Sequence, residues 1–134
     1  MRHIFFLSML VLFGCKQAPT DAIGVSFGHE FTLKVGQQAV LDGEQLTIVF
    51  EKVLDDSRCP TGSICVWEGN ARVAIKLLKS GDGGKNLELN TTVQPKKDSF
   101  LHYEVGLKRL DPYPSTEELL DTKNYRASFI VSKM

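Results

Sequence analysis

The sequence lacks an excess of charge of either sign, since 16 Lys and Arg residues balance 16 Asp and Glu residues. A nucleic-acid-binding domain needs a basic surplus on one face, so this balance argues against a nucleic-acid partner. The chain also has no internal repeat and no low-complexity segment. Its 134 residues, 43% hydrophobic and 24% charged, indicate one globular domain rather than a disordered chain.

Long hydrophobic runs are also lacking. The apolar run at residues 4–13 has ten residues and follows Arg2, which is typical of a signal peptide and too short for a membrane-spanning helix. Residues 12–15, Leu-Phe-Gly-Cys, resemble a bacterial lipobox, although Phe13 stands where that pattern prefers a small residue. The resemblance implies cleavage before Cys15 and acyl chains, such as palmitate, on its sulfur and its amine. We therefore expect a signal peptide at residues 1–14 and a lipid-mediated membrane contact through Cys15.

Cysteine is scarce and odd in number, with three in the chain. If Cys15 carries lipid, Cys59 and Cys65 form an even pair, and export places this pair where a disulfide persists. Closing a loop of about seven residues contributes on the order of 2.4 kcal/mol. A zinc site needs four ligands, and a redox site prefers Cys-x-x-Cys, whereas five residues separate these two cysteines. We favour the disulfide over both alternatives and expect no metal and no cofactor.

Helical periodicity is nearly absent, and alternation of apolar and polar residues dominates. The apolar parity shifts at Val53 and again at Leu110, which predicts a bulge near Glu51–Lys52 and a similar irregularity later. One helical turn is expected at residues 115–120. We predict an all-β fold, an antiparallel β-sandwich or small barrel over residues 25–134, preceded by a flexible tether at 15–24. About seven strands are expected, at residues 31–35, 39–41, 46–50, 71–77, 87–91, 101–107 and 125–131.

Residues 55–71 form the most unusual stretch, because they hold the only Trp and two of the three Cys. Trp67 lies two residues after Cys65, so we expect it to pack in the core against the disulfide, with an exposed contact role as the alternative. Gly69 is expected to mark a bulge or a close backbone approach. The candidate binding loop comprises Arg58, Pro60, Thr61, Gly62, Ser63 and Ile64.

Carboxylates crowd the same stretch, at Asp55, Asp56 and Glu68. Together with His102 they could serve acid–base chemistry, or they could bind calcium. The alternative is a structural role for these carboxylates, in turn capping and in an ion pair with Arg58. We favour this structural role. We assign no catalytic residue.

Three segments together carry a resemblance to a known family. They are residues 56–60 (Asp-Ser-Arg-Cys-Pro), 65–71 (Cys-Val-Trp-Glu-Gly-Asn-Ala) and 107–114, which ends in Pro-Tyr-Pro. They resemble an uncharacterised family of bacterial exported proteins, many of them lipoproteins. The resemblance spans residues 31–131 and implies an exported β domain without implying any catalytic residue.

The expected function is that of a lipid-anchored, non-enzymatic envelope protein that binds a protein partner or serves a structural role. Lys16, directly after the lipidated Cys, favours the outer membrane. A periplasmic lysozyme or protease inhibitor is the alternative, because such proteins are often small β lipoproteins with a disulfide-held loop. A hydrolase is the third hypothesis, and it requires the carboxylates and His102 to converge.

Overall fold

The structure is a computed structural model that describes residues 21–41, 43–118 and 120–134. The predicted signal peptide, Cys15 and most of the predicted tether lie outside the described residues, as do Asp42 and Leu119. The strands are β1 (Ala22–Val25), β2 (Phe31–Lys34), β3 (Gln38–Leu41), β4 (Leu46–Asp56), β5 (Ala71–Lys79), β6 (Gly83–Asn90), β7 (Lys97–Phe100), β8 (Tyr103–Asp111) and β9 (Arg126–Lys133).

Two sheets make up the fold, and they form the predicted β-sandwich. The first sheet has five strands in the order β1-β3-β4-β5-β6, and the second has four in the order β2-β9-β8-β7. Every pairing is antiparallel except that of β1 with β3. No helix in the described part of the chain has the length and apolar character needed to cross a membrane.

The core lies between the two sheets because each strand turns one of its two faces inward. Phe129 of β9 is fully buried, and its ring lies 5.9 Å from that of Phe50 in β4 and 6.1 Å from that of Phe31 in β2. This aromatic cluster joins the sheets. Alternate residues of β5, Val73, Ile75 and Leu77, are buried beside it.

The predicted bulges are confirmed. The register of β4 against β5 shifts between Phe50 and Lys52, where one extra residue restores the apolar face. A second shift in the same strand, between Val53 and Asp55, was not predicted. The register of β8 against β9 shifts between Leu107 and Arg109, which explains why the inward parity changes before Leu110.

Several predicted boundaries are wrong. β1 begins at Ala22, so the predicted flexible tether extends too far into the fold. The segment after Pro95, where no strand was predicted, contains β7, whose residues are mostly polar and pair along one edge of β8. Leu101 lies in the β7–β8 turn with a φ of 55°, not in a strand. The described residues of 115–120 form bends instead of a helical turn, and a short 3₁₀ turn follows at Thr122–Asn124.

The two ends of the sandwich differ. We call the end at which β4 and β8 terminate the motif end, because residues 57–70 lie there between β4 and β5. The opposite end is closed by Glu44, whose carboxylate accepts hydrogen bonds from the Tyr103 hydroxyl at 2.6 Å and from the Lys133 ammonium. The Tyr103 ring stacks on Phe27 at 5.8 Å, which seals the core at that end.

Candidate functional site

Residues 57–70 extend the β4–β5 hairpin beyond the sandwich. The Ser57 amide donates to the Asn70 carbonyl at 2.7 Å, and the Cys59 amide donates to the Glu68 carbonyl at 3.5 Å. A disulfide joins Cys59 to Cys65, with 5.9 Å between their α-carbons, so the predicted pairing is confirmed. We call residues 59–67 the stapled loop.

A buried ion pair lies at the base of the stapled loop. Arg58 is 5% exposed, and its Nε and Nη2 donate to the two carboxylate oxygens of Asp56 at 2.8 and 2.7 Å. This arrangement is the bidentate geometry in which Arg–carboxylate pairs are strongest. The Arg58 backbone amide also donates to Asp56 at 3.2 Å, so the pair fixes the backbone as well as the side chains.

The same guanidinium reaches across to the second sheet. Its Nη1 donates to the Leu110 carbonyl at 2.6 Å, and its Nη2 donates to the Pro112 carbonyl at 3.0 Å. The Tyr113 ring lies 4.4 Å from the guanidinium carbon, as in a cation–π contact. Arg58 therefore ties the end of β4 to the segment that follows β8.

Besides Arg58, Asp56 has a partner next to the second sheet, Tyr125. The Tyr125 hydroxyl donates to its Oδ2 at 2.8 Å, directly before β9. Burial raises the pKa of Asp56, but the hydrogen bonds from Arg58 and Tyr125 outweigh burial and hold the pKa below its ordinary value. Burial and the adjacent carboxylate raise the pKa of Tyr125 to about 12. Asp56 is therefore held as a carboxylate and Tyr125 as a neutral phenol.

Trp67 is not a core residue. It is 65% exposed, so the prediction that it packs against the disulfide in the core is wrong. The reason is that residues 61–64 and 66–68 are exposed at the tip of the hairpin, so facing the same way as Cys65 does not bring Trp67 inside. Ile64 is 103% exposed and Val66 is 93% exposed. The stapled loop therefore presents three large apolar side chains to solvent.

The candidate binding loop divides into two parts. Arg58 is buried by its internal partners, so including it in a contact surface was wrong. Thr61 through Ile64 are exposed, as expected. One side of the loop is held by Thr61, whose amide donates to the Pro114 carbonyl at 2.8 Å and whose carbonyl accepts from the Thr116 amide at 3.4 Å. The remaining member, Pro60, is half-buried.

Gly69 permits a close backbone approach, as predicted. Its φ is +75°, and a β-carbon there would lie 2.1 Å from the Ser57 carbonyl oxygen and 2.7 Å from the Arg58 α-carbon. Only a residue without a side chain fits this place. The hairpin can therefore close tightly above the ion pair.

The carboxylates do not form a common site with His102. Asp55 pairs with Arg72 on the outer surface, while Asp56 points inward to Arg58. His102 lies at the opposite end of the sandwich, in the turn before β8. The eight residue steps from Tyr103 to Asp111 along β8 correspond to about 26 Å at the rise of a strand. The convergence that a hydrolase would need is therefore missing for these residues.

The described residues of the motif end also offer no cluster of side chains suited to a metal ion. Within residues 21–41, 43–118 and 120–134, no three His, Cys, Asp or Glu side chains lie close enough together to hold an ion. A surface depression of about 660 Å³ lies on the outer face of the five-stranded sheet near Lys76, Leu78 and Gly81, away from the motif end. Its position gives it no connection with residues 55–71.

Two residues that organise the motif end were missed from the sequence. The Asn70 side chain donates to Asn90 at 2.8 Å and accepts from the amides of Thr92 and Val93, at 3.0 and 3.3 Å. Asn70 thereby holds the β6–β7 connection beside the hairpin. The other missed residue, Tyr125, shows no sequence signal for its role, because its partner is 69 positions away.

Comparison with protein-family models, with curated proteins and with solved structures finds no significant match. The resemblance of residues 56–60, 65–71 and 107–114 to exported lipoproteins therefore stays a prediction from the motif. What the geometry adds is a physical link between the segments: Arg58 of the first bonds to Leu110 and Pro112 of the last, and Gly69 of the second lets its backbone approach Arg58 closely.

Replacing Arg58 by Met should lower the free energy of unfolding by about 3–5 kcal/mol, because the buried Asp56 carboxylate loses its counterion. Arg109→Met is the matched control, since Arg109 pairs with Asp111 on the surface, with 61% of its side chain exposed. Loss of this exposed pair should lower the free energy of unfolding only slightly. Urea denaturation measures both. Equal effects of the two substitutions would contradict a structural role for the buried pair.

Gly69→Ala should destabilise the fold more than Gly81→Ala. Both positions have positive φ, +75° and +85°, so both substitutions incur the same backbone strain. Only at Gly69 does the added β-carbon meet backbone atoms, whereas nothing lies within 4 Å at Gly81. The expected difference in free energy of unfolding is about 2 kcal/mol or more. Matching melts for the two variants would show that the hairpin is not closed at Gly69.

Stability should fall at alkaline pH through Tyr125. Its pKa is raised from 10.0 to about 12, so the neutral phenol is favoured in the folded state. The contribution is complete below pH 10 and is lost as the pH rises towards 12, by on the order of 2–3 kcal/mol. Tyr125→Phe removes the titrating group, so the stability advantage of the unmodified protein over this variant should shrink across that window. An advantage that stays constant there would refute the Tyr125–Asp56 linkage.

Proposed function

We propose that this protein is a lipid-anchored component of the bacterial cell envelope, on the outer membrane, that acts as a non-enzymatic contact module. The anchor follows from the lipobox-like residues 12–15 and the charge of Lys16 after Cys15. The contact surface is the stapled loop. The observation that carries the proposal is the exposure of Ile64, Val66 and Trp67, at 103%, 93% and 65%.

Solvent exposure of three large apolar side chains in one short segment is unfavourable in isolation. Burying each such side chain against a partner would contribute about 1.5–3 kcal/mol. Exposed apolar patches on small domains mark contact sites for proteins or membranes. Contact with a partner in the cell envelope would therefore lower the free energy of the loop tip.

The loop is also held in one shape before any contact. The disulfide closes it, Thr61 bonds to the segment around Ser115, and Arg58 fixes its base. A preorganised surface loses little conformational entropy on binding, which is how a small contact area reaches useful affinity. This rigidity supports a binding role over a merely structural one.

A second candidate is a periplasmic inhibitor of lysozyme or of a protease. The observation that favours it is the same exposed, disulfide-closed loop, whose tip at Ser63 and Ile64 would enter a cleft. Measuring lysozyme activity after adding a stoichiometric amount of the purified domain discriminates a lysozyme inhibitor from a contact module. Unchanged lysozyme activity would remove the lysozyme version of this candidate.

Site-specific photo-crosslinking in intact cells tests the contact module. A photoreactive amino acid in place of Ile64 should form adducts in the envelope, because this side chain is fully exposed and the proposal places it against a partner. The matched control replaces Met134, which is 70% exposed at the opposite end of the sandwich. Adducts should form at position 64 and not at 134. Absence of adducts at position 64 would contradict a contact role for the loop.

A further inference from the structure

The composition of the stapled loop suits one kind of partner in particular. Its nine residues include no charged side chain, and the exposed ones include Ile64, Val66 and the only Trp of the protein. Tryptophan is enriched at the interface between lipid headgroups and acyl chains, where its ring and its N–H are both satisfied. Apolar side chains next to it add membrane affinity in proportion to the area that they bury.

The direction of β1 shows on which side of Ala22 the preceding residue lies. β1 is parallel to β3 and pairs Ala22 with Gln38, which in turn lies opposite Val49 of β4. β4 runs from Val49 towards the motif end, opposite to β1, so Asp21 lies on the motif-end side of Ala22. Val49 pairs with Lys76 of β5, and the base of the loop lies next to Ala71, the first residue of the same strand. The distance along the strands from the level of Ala22 to the base of the loop is therefore five residues, or about 17 Å.

The reach of the chain before β1 is limited. Seven residue steps separate Cys15 from Ala22, and a fully extended chain of that length spans at most about 25 Å. A lipid on Cys15 therefore keeps Ala22 within about 25 Å of the lipid attachment point. The base of the stapled loop lies about 17 Å from the level of Ala22, on the same side of Ala22 as Asp21. A lipid on Cys15 is therefore within reach of the end of the sandwich that carries the loop.

We infer that the partner of the stapled loop is the bilayer that carries the lipid on Cys15, and that Ile64, Val66 and Trp67 enter its interfacial region. This inference rests on the proposed lipid anchor. The lipid supplies the main attachment, and the loop adds a second, weaker contact that orients the domain with its motif end on the membrane. Two membrane signals on one protein also hold it more firmly than either alone.

The charges around the loop do not favour one kind of lipid surface. Glu68 follows Trp67 and is exposed, and the exposed Glu117 and Glu118 come directly after Thr116, which is bonded to Thr61. The exposed Lys108 and Arg109 line the same depression as Glu68, so charges of both signs surround the loop. The contact is therefore carried by apolar burial and does not depend on anionic lipid.

Because Trp67 is the only Trp, its fluorescence reports on the loop alone. The mature lipoprotein is reconstituted into phosphatidylcholine vesicles with and without phosphatidylcholine brominated near the headgroup. The brominated lipid should quench Trp67 by about half, since an interfacial Trp sits at that depth. Its emission should also lie to the blue of that of the unlipidated Cys15→Ser protein in buffer. Adding phosphatidylglycerol should leave the quenching unchanged, and quenching that requires phosphatidylglycerol would overturn the apolar contact.

The matched control is Trp67→Phe combined with Met134→Trp, which moves the reporter to the exposed opposite end. This protein should be anchored equally well and should not be quenched. Ile64→Ser combined with Val66→Ser should reduce the quenching of Trp67 at an unchanged melting temperature, because both side chains are exposed and support no core contact.

Vesicle flotation separates the possible failures. If the lipoprotein floats with the vesicles but Trp67 is quenched no more than the reporter of the Met134→Trp control, the loop does not touch the bilayer and the inference is overturned. The anchor then stands, and a protein partner takes the place of the bilayer. If the protein does not float, and mass spectrometry finds Cys15 without any acyl chain, the proposed anchor falls and the inference falls with it.

Discussion

The buried pair of Arg58 and Asp56 is the interaction on which the motif end depends. A guanidinium that is 5% exposed is costly unless each of its donors finds an acceptor. Here the acceptors are the Asp56 carboxylate and the carbonyls of Leu110 and Pro112 around the end of β8, while Tyr125, directly before β9, donates to the carboxylate. All the hydrogen bonds of this pair can form only when both sheets are in place. The pair therefore couples the position of the hairpin to the rest of the fold.

That coupling explains how a loop without its own hydrophobic core keeps a defined shape. Apolar burial stabilises the body of the sandwich through the aromatic cluster of Phe31, Phe50 and Phe129. Beyond the last buried layer, stability comes instead from the disulfide, from the ion pair and from the close approach at Gly69. With its shape supplied in this way, the loop tip does not need to bury its own apolar side chains, and they are free to meet a surface.

Alternation of apolar residues was sufficient to predict most of the strands and one of the two bulges in β4, because the period of two reports which face is buried. It failed for β7, since Lys97–Phe100 is an edge strand without a continuous buried face. It also failed for Leu101, where apolar parity continued into a turn. β1 escaped prediction because its residues, Ala-Ile-Gly-Val, do not alternate between apolar and polar.

The sequence by itself determined the disulfide pairing, the strand-rich fold and the location of the unusual loop, because cysteine count and apolar alternation are local properties. Only the tertiary structure decided what the residues of that loop do. Arg58, expected on the surface, is buried because carbonyls 52 and 54 positions away accept its hydrogen bonds. Trp67, expected in the core, is exposed because the hairpin extends past the second sheet. Both outcomes depend on where β8 ends and β9 begins, which no local pattern around residues 55–71 specifies.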